Sequence, residues 1–171
     1  MARWLYLLTA FAALAAWAGA QNPAPPLSAE DKLRLLKANG LLIDQLVSKG
    51  VAMSAADTPE KRAEECRSSS QALAHAIEKA AAAEDAERVA ELTVLFRDLV
   101  RDGLVPILNE GLKMVPPESP TAKKLREVRG WAGEDVTKVK AAIPASSKLA
   151  DNARVKESLK QLDEVADLLN R

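Results

Sequence analysis

From Ser28 to Arg171 the chain consists of long runs rich in Ala, Leu, Glu, Lys and Arg, interrupted at intervals by proline. These are strong helix formers, and proline removes a backbone donor and disfavours a helical residue before it. No stretch alternates apolar and polar residues with the β-branched enrichment of a strand. The chain is therefore expected to be all-α, with its helices marked off mainly by proline and by capping residues.

The first helix should open near Ser28, with Glu30 and Asp31 favourable at its positive end. Leu35, Leu36, Leu42, Ile43, Leu46 and Val47 give it a broad apolar face, and either Gly50 stops it or it continues weakly through Val51 and Met53. Thr58 and Pro59, a cap followed by a first-turn proline, start the second helix. Its inner stripe of Ala63, Cys66, Ser70, Leu73, Ile77 and Ala80 has the 3–4 spacing of a helix–helix seam. Helix formers then continue without interruption past Val89, yet the apolar phase slips. Extending the stripe would turn Glu84, Glu87 and Glu91 inward, whereas the next apolar set is Val89, Leu92, Phe96 and Leu99. A tight turn near Ala83–Asp85, with Asp85 capping the third helix, resolves this conflict.

Gly103 and Pro106 interrupt the third helix, so a kink or break is expected there. Leu104, Ile107, Leu108 and Leu112 carry an apolar face on to Met114, and Pro116 and Pro117 end it. Ser119 and Pro120 repeat the cap-then-proline start for a fourth helix lined by Leu125, Val128, Ala132, Val136 and Val139. After Pro144 a fifth helix begins between Ser147 and Ala153, with Val155, Leu159, Leu162, Ala166 and Leu169 inward. Short loops favour antiparallel neighbours, hence an up-and-down antiparallel bundle of four to five helices in a single domain spanning residues 28–171.

The segment before this domain has a different character. Arg3 precedes an apolar run from Trp4 to Trp17 that contains only Thr9 as a polar residue, and Ala18-Gly19-Ala20 follows. This is the layout of a cleaved N-terminal signal peptide over residues 1–20. A Pro-rich tether, residues 21–27, joins it to the domain. The expected location is therefore outside the cytoplasm, periplasmic or secreted, with no stable membrane insertion after cleavage. Losing Arg3 leaves 23 of the 24 basic side chains against 24 acidic ones. So even a balance offers no long-range attraction for nucleic acid.

Cys66 is the only cysteine and His75 the only histidine. An intramolecular disulfide is thus excluded, and the core alone must hold the fold. Nine residues of helix put Cys66 and His75 on opposite faces, so they cannot share a metal. Cys66 is expected in the core, and His75 at the surface. Two Glu-x-x-His pairs, a Cys-x-x-Cys-His haem site, a Gly-x-Ser-x-Gly elbow and a phosphate-binding glycine loop are all missing from the sequence. No catalytic residue, metal site or cofactor is expected. Glu84, Glu87 and Glu91 read as a solvated, dipole-favoured face, and the basic residues of the fourth helix read likewise.

These features point to a non-enzymatic helical module that binds another protein through a helix face, as a binding or scaffold component of the cell envelope. A homo-oligomer is compatible, since an apolar seam can be covered between subunits. The alternative is a bundle that binds a small apolar ligand in a crevice at Gly103, Pro106 and Trp131, where the third helix is interrupted and side-chain bulk is low.

Overall fold

A computed structural model describes residues 29–170, and every regular element among them is helical. The expected signal peptide, residues 1–20, and tether, residues 21–27, lie outside the described residues. The helices are α1 (Ala29–Ala55), α2 (Pro59–Ala82), α3 (Ala86–Asp98), α4 (Val105–Met114), α5 (Pro120–Ala141), a short α6 (Lys148–Asp151) and α7 (Ala153–Leu169), with a π turn at Leu99–Leu104. The chain divides into two units, Met1–Lys37 and Ala38–Arg171. Of the first, the opening turns of α1 are described; the core and its surrounding helices belong to the second.

Gly50 does not stop α1, which continues through Val51 and Met53 to Ala55. A glycine ends a helix by turning left-handed, and no described glycine has a positive φ. The Thr58 hydroxyl caps α2 by accepting from the Lys61 N–H at 3.4 Å. All six residues of the expected α2 stripe are buried.

The turn between α2 and α3 lies where the slip in apolar phase put it. Asp85 N–H donates to the Ala80 carbonyl and Glu84 N–H to the Ala81 carbonyl, each at 3.0 Å. Glu84 sits between them at φ 54°, so the turn is a Schellman motif with glutamate in the left-handed position. The Asp85 side chain then accepts from the Arg88 N–H at 3.0 Å and starts α3.

Pro106 produces a widened turn instead of a break. The π turn and α4 follow α3 without a gap, and Val105 N–H reaches back five residues to the Val100 carbonyl. One extra residue in the turn absorbs the missing proline donor and the crowding its ring would cause. Gly111 lets α4 approach its neighbours: a Cβ there would lie 2.9 Å from Leu125 Cδ1 and 3.0 Å from Pro59 Cβ.

Ser119 caps α5, accepting from the Ala122 N–H at 3.1 Å, and all five expected inner residues are buried. The expected fifth helix is divided by Asn152, whose side chain caps α7 by accepting from the N–H groups of Arg154 and Val155. Its buried stripe is Val155, Ser158, Leu162, Val165 and Leu169. Leu159 and Ala166, expected inward, are partly buried at its edge.

One hydrophobic core joins α2, α3, α4, α5 and α7. Two of the neighbouring pairs, neither of them consecutive in the chain, run parallel. Along α2 and α5, Glu60 meets Thr121, Glu64 meets Lys124 and Arg67 meets Asp135, so residue numbers rise together. Along α3 and α7, Glu87 meets Arg154 and Arg97 meets Gln161. The hairpin made by α2 and α3 thus lies against α5 and α7 in the same sense. α1 rests on α2 and α3 through Leu42, Leu46 and Met53, with Lys49 Nζ 3.2 Å from Glu65 Oε2 and Arg88 donating to Asn39.

Candidate functional site

Where α3 and α7 run side by side, the facing residues are short. Ala90, Ala153 and Ser158 cannot fill the space between the two backbones, while Val94 and Leu95 project along its wall. The result is an open groove of about 710 Å³. That volume lies in the range of ordinary ligand and peptide sites. Ser158 adds little polarity, because its hydroxyl donates to the Val155 carbonyl at 2.9 Å. Leu95 is 53% exposed although it belongs to a helix that packs on the core. An apolar residue held out of water by nothing, beside a carbon-lined depression, is a feature that isolated surface leucines do not share.

The rim is mostly acidic. Glu87, Glu91 and Glu157 border the groove, with Arg154 as the one cation among its lining residues. Arg154 Nη1 lies 3.1 Å from Glu87 Oε1, and Glu157 accepts from Gln161 Nε2 at 3.0 Å. Beyond Gln161, Arg97 is engaged with Gln161 and Asp98. Glu87 and Glu91, two of the three acids expected on a solvated face, are exposed, and α7 makes their side of α3 the edge of a groove. Glu84, the third, is part of the turn.

A second cluster surrounds Trp131, which is half-buried. The Arg67 guanidinium and the Lys124 ammonium each lie 4.9 Å from its ring centroid. Both cations are anchored by carboxylates: Arg67 Nε is 3.3 Å from Asp135 Oδ2, and Lys124 Nζ is 2.9 Å from Glu64 Oε1. Asp135 is 3% exposed, and this burial pushes its carboxyl pKa up, against the opposing pull of Arg67 and Lys138. Cation–π contacts and the ion pair knit α2 to α5 here, giving Trp131 the part of a structural anchor.

The structure places the three residues of the expected crevice, Gly103, Pro106 and Trp131, in different surroundings. The space beside Gly103 is taken by Cys66, whose sulfur would lie 3.3 Å from an added Cβ. Pro106 is exposed, and Trp131 is covered by its two cations.

Cys66 is in the core, and burial pushes its thiol up to about 11. A thiol so reluctant to ionise is a poor nucleophile. His75 is at the surface, with Nδ1 3.4 Å from Glu78 Oε2. Among the described residues no three His, Cys, Asp or Glu side chains gather as a metal site would require. No helix among them is long and apolar enough to cross a membrane. On α5, Arg126 and Arg129 donate to Pro117 and Asn109, and Lys140 pairs with Asp163, so much of its basic face is engaged within the chain.

Sequence reasoning passed over the α3–α7 groove. Its signal was weak: Val94 and Leu95 fall beside the inner stripe of α3, and only the pairing with α7 shows that small residues face them. Comparison of the chain with protein-family models, curated proteins and solved structures finds no match.

Proposed function

We propose that this is an exported, non-enzymatic helical-bundle protein of the periplasm or cell exterior that binds another protein through the α3–α7 groove. The observation that carries the reading is the open apolar groove with Leu95 on its wall. Apolar area exposed in a concave strip between two helices is the usual receiving surface for a protein segment. The sealed thiol of Cys66 and the surface pairing of His75 with Glu78 support a binding role over a catalytic one.

The test is a photo-crosslinking residue placed at Leu95, with the same residue at Lys123 on exposed α5 as control, in cells that make the protein. A discrete adduct with one protein from position 95, missing from position 123, is the expected outcome. Adducts that are the same from both positions, or none from position 95, would count against the groove as a docking site.

A further inference from the structure

Resting on that reading, we infer that the α3–α7 groove receives a basic amphipathic helix of the partner. Part of the argument is charge. The rim carries three carboxylates: Glu87 is engaged with Arg154, Glu91 has Arg88 Nη1 at 3.7 Å, and Glu157 has no ion pair among the described residues. A segment flanked by Lys or Arg would be favoured at such a rim, and one flanked by Glu or Asp opposed.

The other part is a precedent within the molecule. The neighbouring surface, formed by α2 and α3, is partly covered by an amphipathic helix, α1. Its Leu42, Leu46 and Met53 pack on the core, while Lys49 pairs with Glu65 beside them at 3.2 Å. The α3–α7 groove also has an apolar floor with glutamates on its edges, and it holds no helix of the described chain. From Glu87 to Leu95 it extends about 12 Å along α3, at the rise of an α-helix. That length accepts two to three turns, with apolar residues at i, i+3 or i+4, and i+7 pointing inward and basic residues on the flanks.

Two labelled synthetic helices with the same leucine stripe, one flanked by Lys and Arg and the other by Glu, test this directly. Each is titrated with the purified protein at physiological ionic strength and read by fluorescence anisotropy. The basic helix should bind at least ten times more tightly than the acidic one. The Glu91→Lys/Glu157→Lys variant should abolish or reverse that preference. Leu95→Glu, at an exposed position and checked for an unchanged helical spectrum, should weaken binding of the basic helix at least tenfold.

Equal binding of both helices, tighter binding of the acidic one, no binding of either, or indifference to Leu95→Glu would each overturn the inference. Self-association that Leu95→Glu abolishes would overturn it in favour of a second copy as the occupant. If the helices fail while crosslinking from position 95 still captures one protein, the basic-helix inference falls and the docking reading stands. If both fail, the docking reading falls as well.

Discussion

Cys66 and Gly103 share one site in the core: the sulfur of one occupies space that a side chain on the other would need, 3.3 Å from where its Cβ would stand. α2 and the π turn can approach each other here because a small residue on one helix faces a glycine on the other. Cys66 Sγ also lies 3.9 Å from the Leu99 carbonyl at the start of the widened turn.

This complementarity makes the two positions energetically coupled. Gly103→Ala gains helix propensity but crowds the sulfur, so in the native background the two effects should largely cancel. In a Cys66→Ala background the crowding is gone, and the same substitution should stabilise. A double-mutant cycle in urea should give a coupling of about 1 kcal/mol favouring the double variant. Strict additivity would show that the two residues do not meet.

The Cys66 thiol also predicts an alkaline weakness. Its native pKa, near 11, exceeds the ordinary value of 9.0 because burial disfavours the thiolate. An unfolded chain therefore releases this proton at a pH where the native chain retains it. The resulting stabilisation is fully present below about pH 8.5 and is lost as pH rises through the native value, by on the order of 2 kcal/mol. Unfolding curves of Cys66→Ala, which has no proton to lose, should converge towards those of the native sequence between pH 8.5 and 11. A constant gap across that range would contradict the buried thiol.

Glu84 holds a left-handed backbone that costs a residue with a Cβ about 1 kcal/mol more than glycine. Glu84→Gly should raise the urea midpoint by a corresponding amount with an unchanged slope. Glu84→Ala should leave it near the native midpoint, since alanine has the same conformational cost. If alanine stabilises as much as glycine, loss of the charge is the cause and the backbone is not.

Asp135 predicts the opposite end of the pH scale. Burial raises its native pKa, so its contribution is present below the unfolded value, about 3.9, and is lost as pH rises through the native one. Asp135→Asn mimics the protonated form. The variant and the native protein should have similar stability near pH 3, and the variant should be the more stable of the two at pH 7. A native protein that is more stable at pH 7 would show that pairing with Arg67 outweighs the cost of burying the charge.

Much of the secondary structure was legible because local rules suffice for it. Thr58 with Pro59 and Ser119 with Pro120 act through atoms within one turn, and the slip in apolar phase alone located the turn that Glu84 and Asp85 make. The inner stripes of α2 and α5 followed from periodicity, since a helix with one apolar face has one way to bury it. Gly50 left two outcomes open because a glycine only permits a stop; whether α1 uses it depends on the residues after it. The interruption at Gly103 and Pro106 was seen, but its outcome was not, because a widened turn and a break have the same sequence signature.

Residue order alone therefore settles that the chain is helical, where most helices begin, which residues form the inner faces of α2 and α5, and that no disulfide holds it. Packing in three dimensions settles which helices become neighbours and in which sense they run. Those choices set the solvated Glu87 and Glu91 on the rim of a groove and closed the space beside Gly103 with Cys66. The physical reason is that caps, turns and periodicity are properties of a few consecutive residues. A groove or a filled gap belongs to pairs of residues such as Leu95 and Ser158, far apart in the chain and brought together only by packing.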